Sequence, residues 1–181
     1  MATTVRENSK GLTDYQITPD GVDTSKCQKV LIPLDGSPAG ESVLPTIEQL
    51  AKTKFPTPVE IVLLHVITPV LFASTDLMVV SGQYIDDQVK VATKQAERYL
   101  HYIAEELRLR GIAATITVEI GNPVERIVAV ASQSNINLIA MATRGRSGFK
   151  RFILGSVTDG VTRSVHLPVL TVRAKSPVQA N

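Results

Sequence analysis

The sequence is poor in several residue types, and each shortage excludes a class of protein. Its 181 residues include one cysteine, Cys27, so no internal disulfide can form and nothing suggests an oxidising compartment. Tryptophan is absent, aromatic residues make up 4% of the chain, and the formal net charge is only +2. A nucleic-acid partner is therefore not expected, because such proteins combine a basic surface with stacking rings.

Long hydrophobic runs are also missing. The longest apolar stretch, residues 61–73, is interrupted by His65, Thr68 and Pro69, and no stretch reaches the roughly 18 apolar residues of a membrane span. The first 25 residues are polar and lack the apolar centre of a secretory signal. We therefore expect no membrane association and a cytoplasmic location.

The hydrophobic content of 44% is that of a globular domain with a sizeable core. We predict a flexible N-terminal tail over 1–25, one domain over 26–174 and a C-terminal tail over 175–181. No internal repeat or low-complexity tract interrupts the domain.

Short apolar runs alternate with helical patterns along this domain. The runs predict five strands, at 29–34, 59–67, 114–120, 138–142 and 169–172. Apolar residues three or four apart predict a long helix from about 85 to 110, which Gly111 ends. This alternation predicts a parallel sheet with right-handed crossovers.

Three further helix starts carry capping signals. Ser37-Pro38 and Asn122-Pro123 each combine an N-cap residue with a first-turn proline, and a third helix begins at Ser156. The helix after Ser37 should run to about Lys52, with Pro45 kinking or breaking it. The connection over 68–84 is unusually long and apolar, so we expect it to cover a ligand or a partner.

The segment over 137–160 is the most informative. Its apolar run breaks into a loop containing glycines, and that loop leads to the predicted helix start at Gly155-Ser156. A strand, a glycine loop and a helix N-terminus form a place for an anion, because the N–H groups there lack partners and carry partial positive charge. The loop also contains four basic residues, Arg144, Arg146, Lys150 and Arg151. A solvated surface loop is the alternative.

The predicted topology supports a ligand site. Open parallel sheets bind ligands beyond the carboxyl ends of strands where the winding direction reverses. If the two halves of the chain wind in opposite directions, the first and fourth strands are neighbours. Asp35 would then lie beside the glycine loop, where its carboxylate can accept a hydrogen bond from a ribose hydroxyl while the loop takes phosphates.

These residues resemble the universal stress protein family over roughly Lys26 to Ala174. Nucleotide-binding members carry a glycine, two residues, a glycine, nine residues and then Gly-Ser or Gly-Thr. Gly145 and Gly155-Ser156 have the nine-residue spacing, whereas the first glycine falls on Ala142 and Gly148 is an additional glycine. The departure at Ala142 bears on how closely the backbone approaches the phosphates or ribose.

The resemblance implies an α/β fold: an open five-stranded parallel sheet with helices on both faces, Rossmann-like and of the adenine-nucleotide alpha-hydrolase-like type, strand order 3-2-1-4-5. It also implies binding of ATP, or of ADP or AMP, together with Mg²⁺. Adenine would lie near Leu34 and Val66, and Asp35 would hold the ribose. The implied binding residues are Pro33, Leu34, Asp35, Val66, Met141, Ala142, Gly145, Gly148, Gly155, Ser156, Val157 and Thr158.

Within that set, the phosphates would rest on N–H groups of Gly145 and of 155–157. The hydroxyls of Ser156 and Thr158 are candidates for phosphate or magnesium contact. The resemblance further implies a homodimer formed through the last strand, at Val169, Leu170, Thr171 and Val172, which would protect an exposed edge.

No catalytic constellation stands out. His65, His101 and His166 lie far apart, and no Cys/His spacing indicates a metal site, so we predict neither catalytic residues nor a protein-bound metal. We expect an ATP-binding, dimeric stress-response module that acts through an unidentified partner. The alternatives are a dimeric interaction protein of the same fold that has lost nucleotide binding, which Ala142 favours, and a slow ATP hydrolase.

Overall fold

The computed structural model describes residues 17–18, 21–22, 28–53, 58–68, 82–143 and 155–174. Outside them lie most of the predicted tails and most of the 68–84 connection. The four basic loop residues, Gly145 and Gly148 are also outside, so their predicted roles stay predictions.

Among the described residues, five strands form the main sheet and five helices pack around it. After the two short N-terminal strands β1 (Ile17–Thr18) and β2 (Gly21–Val22), the strands of the main sheet are β3 (Lys29–Pro33), β4 (Glu60–Ile67), β5 (Ala113–Ile120), β6 (Leu138–Thr143) and β7 (Val169–Arg173). The helices are α1 (Pro38–Glu41), α2 (Leu44–Thr53), α3 (Gly82–Leu109), α4 (Pro123–Gln133) and α5 (Ser156–Ser164).

The sheet is parallel and runs in the order β5-β4-β3-β6-β7. Counted along the chain, this is the predicted order 3-2-1-4-5, which is confirmed. The ladder between β3 and β4 extends from Lys29–Glu60 to Pro33–Leu64. The ladder between β3 and β6 contains only the pairs Val30–Leu138 and Leu31–Ile139. The two halves of the sheet are therefore joined by its shortest ladder.

Apolar residues cover both faces of the central strands β3, β4 and β6, which explains why these strands are nearly continuous apolar runs. On one face, Val30, Ile32 and Leu63 pack with residues of α2 and α3. On the other face, Leu31 and Leu64 pack with residues of α4 and α5. The domain is thus a three-layer sandwich, as predicted.

Local signals explain the helix boundaries. The helix predicted from Pro38 to about Lys52 is divided into α1 and α2, and the break falls at Ser42–Val43. Pro45 is the second residue of α2, where its missing N–H costs no intrahelical bond. Gly111 ends α3 at φ +80°, with its N–H donating to Arg108 and that of Ile112 to Leu107, the pattern of a Schellman motif.

One element was not predicted. Within the segment expected to be a flexible tail, β1 (Ile17–Thr18) and β2 (Gly21–Val22) pair in antiparallel fashion. These strands form a sheet separate from the main one.

Candidate functional site

The candidate site lies where β3 and β6 part. Their ladder ends at Leu31–Ile139, but β3 continues to Pro33 beside β4 and β6 continues to Thr143 beside β7. The carboxyl ends of the two central strands are thus not paired with each other. This is the switch point at which open parallel sheets bind ligands.

A carboxylate stands at the end of β3 in a fixed orientation. The Asp35 side chain is exposed, and its Oδ1 accepts hydrogen bonds from the N–H (3.0 Å) and the Oγ–H (2.6 Å) of Ser37. The Ser37 Oγ in turn accepts from the N–H of Gly40 at 3.0 Å and caps α1. A Cβ on Gly40 would lie 2.6 Å from Asp35 Oδ1, so glycine at this position permits the close approach of the carboxylate.

A second set of bonds holds the residue before Asp35. The Leu34 N–H donates to the carbonyl of Leu64 at 2.8 Å, and the Leu34 carbonyl lies 2.8 Å from His65 Nδ1. Because a carbonyl only accepts, Nδ1 of His65 carries the proton. Leu34 is therefore bonded to β4 through both of its backbone polar groups, one rung beyond the last registered pair.

Tyr99 of α3 contacts both His65 and Glu41. Its ring lies edge-on to His65, with centroids 6.3 Å apart, and its hydroxyl donates to Glu41 Oε1 at 2.9 Å. Burial raises the pKa of Tyr99 above its usual range, and the hydrogen bond to Glu41 and the charges of Glu41 and Asp35 raise it further. The phenol thus stays protonated and remains a donor.

The start of α5 has no side-chain cap, unlike the starts of α1 and α4. Gly155 is the N-cap at φ −56° and ψ 156°, a conformation that any residue can adopt. A Cβ built on Gly155 would meet no described atom within 4 Å. Neither conformation nor the described packing requires glycine here. The N–H groups in the first turn of α5 receive no side-chain cap from Gly155. Such groups are suited to binding an anion, for example a phosphate.

Three predicted site residues share the face of the sheet next to α5. Val66, Met141 and Val157 belong to one apolar cluster, in which Met141 is buried and the two valines are partly exposed. Leu34 and Ala142 pack on the opposite face, and Leu34 is only 2% exposed. The side chains of Val66 and Leu34 therefore lie on opposite faces of the sheet. That adenine lies near these two residues stays a prediction.

Thr158 is buried, 4% exposed, and its Oγ1 donates to the carbonyl of Ala142 at 3.5 Å. This contact joins α5 to the end of β6. The predicted contact of Thr158 with phosphate or magnesium stays a prediction. Ser156, by contrast, is exposed at the first position of α5.

Four residues near Asp35 were missed as parts of the site: Gly40, Glu41, His65 and Tyr99. One sequence signal was available, because His65 interrupts an otherwise apolar strand. The others depend on contacts between residues far apart in the chain. Ser37 was predicted as a helix cap, but its bonds to Asp35 were not.

The described part of the chain contains neither a candidate metal site nor a candidate membrane span. No group of three or more His, Cys, Asp or Glu residues in that part is placed to hold a metal ion. None of its helices has the length and apolar character required to cross a membrane.

The fold and the parted strands define an α/β domain with a switch point between β3 and β6. The model of the universal stress protein family matches residues 26–173. The chain therefore belongs to the universal stress protein family.

Similar proteins support this assignment along the whole domain. A universal stress protein of Methanocaldococcus jannaschii, MJ0577, is 28% identical over 159 residues, which cover 82% of this chain and 96% of that protein. The solved structure of MJ0577 superposes with a TM-score of 0.68, and the match covers 83% of this chain and 98% of that one.

Two more distant structures share the fold and carry nucleotides. A universal stress protein in complex with cAMP has a TM-score of 0.59 at 18% identity and covers 83% of this chain and 100% of that one. An Arabidopsis thaliana family member with AMP bound has a TM-score of 0.58 at 16% identity, covering 84% and 97%.

Proposed function

We propose that this chain binds an adenine nucleotide, ATP in the first instance, in the cleft between the ends of β3 and β6. The observation that carries the proposal is that a hydrogen-bond acceptor follows one of these two strands and a set of hydrogen-bond donors follows the other. The oriented carboxylate of Asp35 follows β3, and the uncapped start of α5 follows β6. A ribose and a phosphate chain need this combination of an acceptor and a set of donors.

The family relatives that carry cAMP and AMP support adenine as the base. In the proposed complex Asp35 accepts from the ribose, and Val66 and Met141 provide the apolar surface beside the base. The phosphates bind the N–H groups of Gly155, Ser156 and Val157, together with the loop glycines Gly145 and Gly148. Magnesium would be held chiefly by the phosphates, with Ser156 the nearest candidate hydroxyl.

Ala142 is the residue that favours a family member without nucleotide. Its side chain packs on the face of α2 and α3, with Leu34, rather than on the face of α5. The added methyl group therefore lies on the side of the sheet away from the proposed phosphate site. This placement supports nucleotide binding despite the missing glycine.

We further propose that the protein is a cytoplasmic homodimer with a regulatory role in the stress response, with at most slow ATP hydrolysis. Strand β7 is an edge strand whose residues Val169, Leu170, Thr171 and Val172 are all partly exposed. An open edge of this kind is suited to pairing with a second copy. The regulatory partner that responds to nucleotide binding is unidentified, and neither a nucleic acid nor a membrane is proposed as that partner.

The test is to identify and then measure the ligand. Mass spectrometry of the small molecule released on denaturation is expected to show an adenine nucleotide, and titration calorimetry to show saturable binding of ATP with Mg²⁺. Sedimentation of the same sample measures the dimer. A protein that is empty on purification and does not bind added ATP would exclude the proposed function and favour the interaction protein.

A further inference from the structure

The bond between His65 and the Leu34 carbonyl occurs where the β3–β4 ladder stops. Beyond Pro33–Leu64 the two strands have no registered pair, although β4 continues to Ile67 beside β5. At this point the His65 imidazole, and not a backbone N–H, supplies the hydrogen that the Leu34 carbonyl accepts, at 2.8 Å. The His65 side chain thus replaces the backbone pairing at this position, where β3 ends and the loop that carries Asp35 begins.

That carbonyl belongs to the peptide that joins Leu34 to Asp35. Because the peptide is planar, fixing the carbonyl direction also fixes the N–H and Cα of Asp35. Ser37 then fixes the carboxylate itself. The orientation of Asp35 is determined from two sides, by β4 through His65 and by α1 through Ser37.

The imidazole is itself held in place. Tyr99 packs edge-on against it, and the Tyr99 hydroxyl bonds to Glu41 of α1. The Leu34 side chain, 2% exposed, is anchored in the same layer. Packing of Tyr99 from α3 thus holds the imidazole so that its Nδ1–H points at the Leu34 carbonyl.

We propose that His65 is a positioning residue for the nucleotide: its Nδ1–H bond to the Leu34 carbonyl sets the orientation of the ribose-binding Asp35, and Tyr99 supports the ring. This inference rests on the proposed function. His65 makes no contact with the nucleotide in this account and acts only through Asp35.

Two substitutions of His65 by polar residues of similar size distinguish the effect of its Nδ1–H hydrogen bond from the effect of the volume of its ring. His65→Asn carries a donor at the position of Nδ1, whereas His65→Gln carries one at the position of Nε2. Positioning predicts that the Asn variant binds ATP within about threefold of wild type and that the Gln variant binds about tenfold more weakly, as expected for one lost hydrogen bond. Equal affinities for the two variants would overturn the inference.

Coupling to Asp35 provides a readout that a purely structural role does not move. Calorimetry on wild type, Asp35→Ala, His65→Gln and the double variant forms a double-mutant cycle. We expect the double variant to bind no more weakly than Asp35→Ala alone, because His65 has nothing left to orient. Additive losses would overturn positioning while leaving the nucleotide site intact.

The same cycle distinguishes the two levels of the proposal. If wild type binds ATP and Asp35→Ala weakens it but His65→Gln does not, only this inference fails. If wild type does not bind ATP, the proposed function fails and takes this inference with it. Should His65→Gln not fold, Tyr99→Leu keeps the test open because it removes the ring that packs on the imidazole: a twofold to fivefold weaker affinity supports the role, and no change contradicts it.

Discussion

Helices α4 and α5 pack against the same face of the sheet and begin in opposite ways. Asn122 closes the start of α4, because its Oδ1 accepts from the N–H groups of Val124 (2.9 Å) and Glu125 (3.3 Å). Gly155 leaves the start of α5 without a side-chain cap. In the first arrangement the cap residue supplies an acceptor to two N–H groups, and in the second the cap residue supplies none. If α5 binds phosphate as proposed, stability and binding make opposite demands on the same backbone position.

The largest expected effect comes from closing the start of α5. Gly155→Asp should supply a cap and raise the free energy of unfolding by about 0.5 kcal/mol. It should also weaken ATP binding by about a hundredfold, because the carboxylate occupies the donors and repels the phosphates. Calorimetry with ATP and urea unfolding measure the two effects.

Gly155→Asn is the matched control, since it copies the cap of α4 without adding a charge. Its affinity for ATP should lie between wild type and the Asp variant. An Asp variant that binds as tightly as wild type would show that the phosphates lie elsewhere.

The second effect concerns the contact between these two helices. A Cβ on Gly160 of α5 would lie 2.8 Å from Cγ2 and 3.3 Å from Cγ1 of Val124 on α4. Gly160→Ala should therefore lower the free energy of unfolding by about 1 to 2 kcal/mol, because overpacking outweighs the gain in helix propensity. Chemical denaturation measures the change.

Adding Val124→Ala should relieve that crowding, so that Gly160→Ala becomes neutral or stabilising in the double variant. A stabilising effect of Gly160→Ala by itself would mean that α4 and α5 are free to separate.

Opening the start of α4 is the converse of closing that of α5. Asn122→Ala should lower the free energy of unfolding by about 1 kcal/mol, because two N–H groups lose their acceptor. The affinity for ATP should not change, since α4 follows the edge strand β5 and not the cleft. A loss of ATP affinity comparable to that of Gly155→Asp would refute the contrast between the two helix starts.

The smallest effect is at α1, whose first turn bears Glu41. Tyr99→Phe removes the bond to Glu41 and should cost about 1 kcal/mol at neutral pH. The folded pKa of Tyr99 is raised, so the unfolded chain loses this proton first, at about pH 10, and wild type loses stability above that pH. The gap between wild type and variant should therefore narrow as the pH rises past 10.

Urea unfolding between pH 8 and 11 measures this gap. Tyr102→Phe, which removes a 66% exposed phenol from the same helix, is the control. A gap that stays constant over this range would contradict the raised pKa.

The sequence was sufficient for the order of elements because each strand is a short segment rich in apolar and β-branched residues, separated from the next by helical patterns and turn signals. Caps at Ser37 and Asn122 are local, and both were predicted correctly. The break between α1 and α2 was predicted less accurately. A kink or break was expected at Pro45, but the break precedes Pro45, which lies in the first turn of α2, where proline is tolerated.

The site was harder because it depends on register. Leu34 lies one rung past the Pro33–Leu64 pair, level with His65, so its side chain and that of Val66 fall on opposite faces. No property of either residue alone reveals this. The bond from His65 to Leu34 joins positions 31 apart in the chain and follows from the same register.

The short ladder between β3 and β6 has a mechanical consequence. Two residue pairs join the part of the sheet formed by β5, β4 and β3, which Asp35 follows, to the part formed by β6 and β7, which contacts α5. This joint has fewer registered pairs than the other joints of the sheet and should resist shear least. If the proposed nucleotide contacts both parts, its binding should therefore stiffen the whole sheet.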